Sequence, residues 1–269
     1  MAKKNAALWA GRISEHMGVQ VPCIMFVDGT EIKICRPSIW QRLCFNGHKR
    51  FHSTGWQGLM APNGIIIQLY GPCLGTYHDS KMIGLSRLID VMKHEFPRYF
   101  VYADQGYGLS EQIQHGFSRL TATAEEQHYN FIWSKERICV EWGFGQVKEI
   151  FKTVNDWRSA KPLEACVGIW YMAAVLLRNC IVCMRGQDEV SGHFVLRPPT
   201  LDDYLLPDGP EFQYWMDKYP PVEDVFDFAF TEAEVMGIGE VQEKIDDVDS
   251  DGKGDGMQTE MDMCDGDEN

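Results

Sequence analysis

The chain lacks an uninterrupted apolar run of membrane length, a repeated cysteine spacing and a dense cluster of basic residues, and each lack narrows what it can be. Its longest uncharged apolar stretch, CVGIWYMAAVLL (166–177), is well short of the roughly 20 residues that a bilayer-spanning helix requires, so no membrane span is expected. The start, MAKKNAALWAGRISEHMG, has two lysines, but Arg12 and Glu15 interrupt its apolar part before a signal-peptide core of usual length forms. An intracellular protein is therefore expected. Nine cysteines, an odd number without a repeated spacing, suit buried thiols rather than a disulfide framework. Cys180 and Cys183 form one CxxC with no second pair to complete a zinc site, so both are expected to pack. There is no internal repeat.

Charge is present but unevenly spread. The net charge of −14 argues against a polyanionic partner until it is divided along the 269 residues. Residues 1–150 hold 16 Lys+Arg against 13 Asp+Glu, a formal +3; residues 151–239 are −7 and residues 240–269 are −10. The acidity thus belongs to the C-terminal half, and repulsion from phosphates does not extend to the first 150 residues. Beyond about Val241 the chain is acidic, Gly-rich and poor in packing residues, so 236–269 is expected to be a disordered acidic tail. Asp247, Asp249, Asp251 and Gly252 imitate the first half of a calcium loop, but position twelve is Gln258 rather than Glu, which favours a solvated tail.

The rest alternates strand-like and helix-like segments, with 45% apolar residues to fill a core. PCIMFVD has the length of a buried strand and EIKICRP continues it; GWQGLM and GIIIQLYG are joined by Ala61-Pro62-Asn63-Gly64, good hairpin-turn chemistry. DSKMIGLSRLIDVMKHEF spaces Met82, Leu85, Leu88 and Met92 as one helix. RYFVYAD is another apolar run closed by an aspartate. A helix carrying SKERICVEWGFGQVKEIFK follows, then a buried helix from Pro162 to Met184, then a Pro-rich irregular stretch from Ser191 to Val225.

Three carboxylates draw attention. Asp28 and Asp104 each end an apolar strand-like run shortly before a glycine. Asp28-Gly29 is also hairpin chemistry, but if the two strands are parallel neighbours, both carboxylates emerge at one end of the sheet, where open α/β folds bind ligands. Val140, Phe144, Val147 and Phe151 form the apolar face of the later helix, and Glu141 borders it, within reach of an ion pair with Arg137. Two strand carboxylates and one from a helix are what a two-metal phosphoryl-transfer site needs: hard oxygen ligands for two Mg²⁺ or Mn²⁺ ions. Lys148 and Lys152 on the helix, and Lys49 and Arg50 in GHKRFH, are the basic residues expected to hold a phosphate backbone.

The series FVDGT, NGHKRFHS, GTYHDS, ADQGYG and VEWGFGQVKEIF, in this order, resembles the DDE endonuclease domain of PIF/Harbinger-type transposases, over roughly residues 20–185. Between Asp104 and Glu141 lie 36 residues, similar to the separation common in DDE enzymes. The resemblance implies an α/β, RNase H-like mixed sheet flanked by helices, spanning 21–235 after a helical remnant at 1–20. It also implies a metal-binding triad of Asp28, Asp104 and Glu141, two divalent ions, DNA as substrate and a nuclear protein. Ala103 stands where members usually have Gly. Relatives carry a helix-turn-helix-like region upstream of the first strand, where about 20 residues stand here, so a separate Myb-like protein is an expected DNA-reading partner and self-association into a homo-oligomer is another.

Other residues are weighed beside the triad. Asp79, in YHDSKM, reads first as a helix N-cap, with a site role for Asp79 or His78 as the second-tier alternative. His48 and His52 are not expected to bind zinc, Trp142 reads as core or as a wall of the site, and Glu31 as the solvent side of a strand. The expected activity is metal-dependent cleavage of phosphodiesters, with the freed 3′-hydroxyl attacking target DNA. Two alternatives stay open: a catalytically inactive, domesticated copy that binds DNA or protein, and an RNase H-like nuclease with no transposition step.

Overall fold

The computed structural model describes residues 2–118, 120–162 and 166–205. The elements are α1 (Ala2–Met17), β1 (Cys23–Lys33), α2 (Gln41–Cys44), β2 (Phe45–Asn46), β3 (Phe51–Met60), β4 (Ile66–Leu74), α3 (Asp79–Leu85), α4 (Leu88–Glu95), β5 (Phe100–Tyr102), β6 (Ile113–Gln114), α5 (Ala124–Ile150), α6 (Val167–Arg185), α7 (Glu189–His193) and α8 (Leu201–Leu205). The acidic tail and the calcium-like pattern lie outside the described residues.

Cys23 to Val27 are all fully buried, because β1 is the middle strand of the sheet and is covered on both faces, where a strand reads as a continuous apolar run rather than an alternation. It pairs antiparallel with β3 on one side and parallel with β5 on the other, and β6 extends the sheet parallel to β5. On the far side β4 pairs antiparallel with β3 through the expected turn, with Gly64 at φ 88°. β3 thus runs against all its neighbours in a mixed sheet flanked by helices, the α/β RNase H-like arrangement expected. Trp9 and Ile13 of α1 are buried in the same core as Val140, Phe144 and Val147 of α5, so the first helix is a packed part of the fold.

Three local expectations are corrected. Asp28 does not end its strand: β1 continues to Lys33, because Asp28 pairs with Gly58 and Gly29 with Gln57, and ladder hydrogen bonds keep the Asp-Gly step extended. The single helix expected from Asp79 breaks at Ser86–Arg87. Ser86 donates its hydroxyl to the Ile83 carbonyl at 3.1 Å and accepts from Gln57 Nε2 at 2.9 Å, and Arg87 turns left-handed at φ 55°. The stretch after Ser191 is not wholly irregular, since α7 reaches His193 and α8 follows.

α6, 19 residues with a mean hydropathy of 1.7, is long and apolar enough to cross a membrane by length and composition, which the shorter uncharged run had not suggested. One face of it packs into the protein, through Tyr171, Ala174, Val175, Arg178 and Val182, while Trp170, Leu176 and Leu177 are exposed. Arg178 at its centre is fully buried, donates to Asp188 at 2.6 Å, to Gln146 of α5 and to the Gly64 carbonyl, and so ties three segments together. Cys23, Cys44, Cys73, Cys139 and Cys183 are buried free thiols, as expected, whereas Cys35 and Cys180 are half-buried and Cys166 is exposed; no disulfide forms among the described residues.

Candidate functional site

Parallel pairing sets the first two carboxylates. Phe26 of β1 lies opposite Tyr102 of β5, and two residues further along each chain stand Asp28 and Asp104, at the same level of the sheet. Side chains alternate along a strand, so the two-residue step within β1 keeps Asp28 on the side that Phe26 faces. β5 stops at Tyr102, and Asp104 then caps a short 3₁₀ turn, Oδ1 accepting from the Gly106 N–H at 2.9 Å. Asp28 Oδ1 accepts from its neighbour's N–H, Gly29, at 3.0 Å.

Asp79 is the third carboxylate here. The expectation that it caps α3 is overturned: His78 holds the cap position without a side-chain bond, and Asp79 is the first helical residue. Its carboxylate instead lies over the glycines beside the other two aspartates. A Cβ on Gly29 would come within 2.5 Å of Asp79 Oδ1, and one on Gly106 within 3.0 Å of Asp79 Oδ2 and 3.1 Å of Asp104 Oδ1. Glycine at both positions is what lets Asp79 come so close to β1 and to the turn that Asp104 caps.

The electrostatics follow from that crowding. Burial, above all, pushes the Asp28 carboxyl up to about 6, with the Arg137 guanidinium opposing the rise and Asp104 adding to it. Asp79 is pushed up to about 6 by burial and then by Asp104. The phenol of Tyr107 is raised by burial and then by Asp79, Asp28 and Asp104 together, and its buried hydroxyl has no hydrogen-bond partner among the described residues. Negative charge is thus in excess, the donors are all carboxylate oxygens, and a polar atom beside them is orphaned. These residues fit a hard divalent cation such as Mg²⁺ or Mn²⁺.

Glu141 reaches the cluster through Arg137. One α-helical turn apart on α5, they pair at 3.3 Å, while Arg137 also donates to Asp28 Oδ2 at 2.8 Å. The ion pair expected on a helix surface is present, and it extends to the sheet. Glu141 remains half exposed, at 54% of its side chain, whereas Asp28 is at 13%. Burial opposes the charge on Arg137, but the carboxylates of Asp28, Glu141 and Asp104 outweigh it and raise its pKa.

A cleft of about 840 Å³ opens over Asp28, Asp79 and Asp104, lined also by His48, Lys49 and His78. Glu31 belongs to it as well. Rather than facing solvent, it accepts from Asn46 Nδ2 at 2.6 Å and Ser53 Oγ at 2.8 Å and pairs with Lys49 at 3.3 Å. Of the basic residues, Lys49 is at the cleft, Arg50 is exposed in the adjoining turn at φ 58°, and Lys152 is exposed beyond α5. Lys148 is half buried, donating to Thr30 Oγ1 at 3.0 Å and to the Glu31 carbonyl at 3.3 Å, which docks α5 on β1. Trp142 is half buried against the core. Asp79 and Glu31 are the residues sequence reasoning undervalued; the glycines at 29 and 106 were the only trace that something must approach there.

Comparison with known proteins agrees with this geometry. No curated protein and no solved structure matches the chain. The sequence model of a family described as DDE superfamily endonuclease matches residues 27–178, a span that runs from β1 through most of α6 and takes in Asp28, Asp79, Asp104 and Glu141. That span is more than half of the chain, which therefore belongs to the DDE superfamily endonucleases.

Proposed function

We propose that this chain is a PIF/Harbinger-type endonuclease that cuts DNA phosphodiesters with two divalent ions held by Asp28, Asp104 and Glu141. Asp79 is the fourth carboxylate of the site, with His78 beside it at the cleft. The reading is carried by one observation, the parallel β1–β5 register that brings Asp28 and Asp104 to one level under a cleft of about 840 Å³. When bound, the ions would activate the attacking water and stabilise the leaving oxygen. The carboxylates serve as ligands and must be ionised to do so. Arg137, bonded to Asp28 Oδ2, would hold a phosphate oxygen if a bound ion took that carboxylate oxygen from it. Lys49, Arg50 and Lys152 hold the backbone on either side, and Lys148 holds the helix. Joining of the freed 3′-hydroxyl to target DNA, a Myb-like partner that reads the DNA ends, a homo-oligomer and a nuclear location complete the proposal.

A second reading, a transposase-derived protein that binds but does not cut, is favoured by the same guanidinium, which already offers positive charge to Asp28 and Glu141. Calorimetry with Mn²⁺ and a nicking assay on supercoiled DNA separate the two. Under the first reading the wild type binds Mn²⁺ and nicks, and folded Asp28→Ala, Asp104→Ala and Glu141→Ala variants lose both. Under the second, the wild type does neither, and Arg137→Ala alone gains Mn²⁺ binding.

A further inference from the structure

Glu136 precedes Arg137 on α5, so its side chain leaves the helix about 100° away from the carboxylate cluster. It is among the few buried acids, 3% exposed. Its two oxygens are each met by an imidazole: His16 Nδ1 from the last turn of α1 lies 3.0 Å from Oε1, and His193 Nε2 from the end of α7 lies 3.0 Å from Oε2. The two rings are 4.1 Å apart between centroids, and the three donor atoms all lie within 4.8 Å of one another.

We propose that His16, Glu136 and His193 form a binding site for Zn²⁺, distinct from the carboxylate cluster. Two imidazoles and one carboxylate are a borderline nitrogen-oxygen set, which suits zinc, whereas the all-oxygen cluster suits Mg²⁺ or Mn²⁺. The spacing suits it too. With zinc–ligand bonds of about 2.0–2.2 Å, neighbouring ligands in a tetrahedron stand roughly 3.3–3.5 Å apart, and one donor atom from each of the three residues already lies within 4.8 Å of the other two, so small side-chain movements close the shell. His16 keeps 37% of its side chain exposed, which leaves one side open to a water as fourth ligand. The other sides are apolar: Phe194, 1% exposed, stands edge-on to both imidazoles at 5.7 and 4.7 Å, and Trp142 packs on His193 at 5.4 Å. Such a wall fixes ring orientation and lowers the local dielectric.

The ion would staple three separate elements, α1, α5 and α7, at a point about one and a half turns from Glu141. It is a structural tie and takes no part in cleavage. Sequence separations of 120 and 57 residues hide it from any spacing rule.

The test uses the full chain, stripped with a chelator and then titrated with Zn²⁺ by calorimetry and with Co²⁺ by visible absorption, beside an Asp28→Asn/Asp104→Asn variant that disables the carboxylate cluster. One equivalent of Zn²⁺ is expected in both proteins, with the intense bands of four-coordinate Co²⁺. His16→Ala and His193→Ala should each weaken binding by more than the about 100-fold that loss of an outer partner costs. X-ray absorption of the wild-type zinc protein, which needs no variant to fold, should show two imidazoles in the ligand shell. A stripped wild type that takes up no Zn²⁺, zinc binding that both histidine substitutions leave unchanged, or an all-oxygen shell would overturn the proposal.

Discussion

At Asp28 a carboxylate is buried beside Asp104 with only Arg137 to compensate it, and the metal-free protein should show this in its response to pH. The folded-state pKa, about 6, lies above the ordinary 3.8, so the folded chain holds the proton more tightly than the unfolded one. The resulting stabilisation is fully present below about pH 3.8 and is lost as pH rises through about 6. Asp28→Asn keeps the shape and an acceptor for Arg137 but cannot ionise. In chelator at pH 7.5 it should be more stable than the wild type by on the order of 1–3 kcal/mol, and the gap should close toward pH 4. Thermal melts across this range decide; parallel curves for the two proteins would show that Asp28 carries no strain.

The element that delivers Glu141 and Arg137 is α5, and its setting depends on how closely it lies on the sheet. A Thr123–Glu126 capping box fixes its start, and Val140, Phe144 and Val147 fix its buried face. The contact is close at Gly58 of β3, directly opposite Asp28 in the ladder, where an added Cβ would stand 2.5 Å from the Phe144 ring. A planar ring in a packed core cannot yield as a flexible chain end would. Gly58→Ala should therefore cost about 1–3 kcal/mol and weaken Mn²⁺ binding by tilting Glu141 away. Adding Phe144→Leu should recover part of the loss, and a denaturation double-mutant cycle measures the coupling; strict additivity would mean that the helix is positioned elsewhere.

Over the whole molecule, charge is segregated. A formal +3 over residues 1–150, with exposed Arg50 and cleft-lining Lys49, is set against −10 in the last 30 residues. Acidic residues that compete with phosphates for cations do so through the solvent, over a Debye length of about 8–10 Å. Deleting residues 240–269 should raise non-specific DNA affinity at low salt, with the difference shrinking as salt rises. Fluorescence anisotropy at fixed salt tests this; unchanged affinity would leave the tail without an electrostatic role.

What the sequence by itself determined was the local and periodic content: an apolar β1, a helix with Val140, Phe144 and Val147 on one face, the β3–β4 turn, and Asp28, Asp104 and Glu141 in their order. Nearest-neighbour chemistry and side-chain periodicity settle such features, because the physics that fixes them acts within a few residues. What only the tertiary structure decided was convergence. Asp28 sits within a strand rather than at its end, because β3 pairs past it. Asp79 is no cap but lines the cleft beside Asp104, because Gly29 and Gly106 leave room for it. Arg137 bridges helix to sheet, and His16, Glu136 and His193 meet across the chain. Each depends on which elements pack together, and packing is chosen by burial summed over the whole core, which no short stretch of sequence contains.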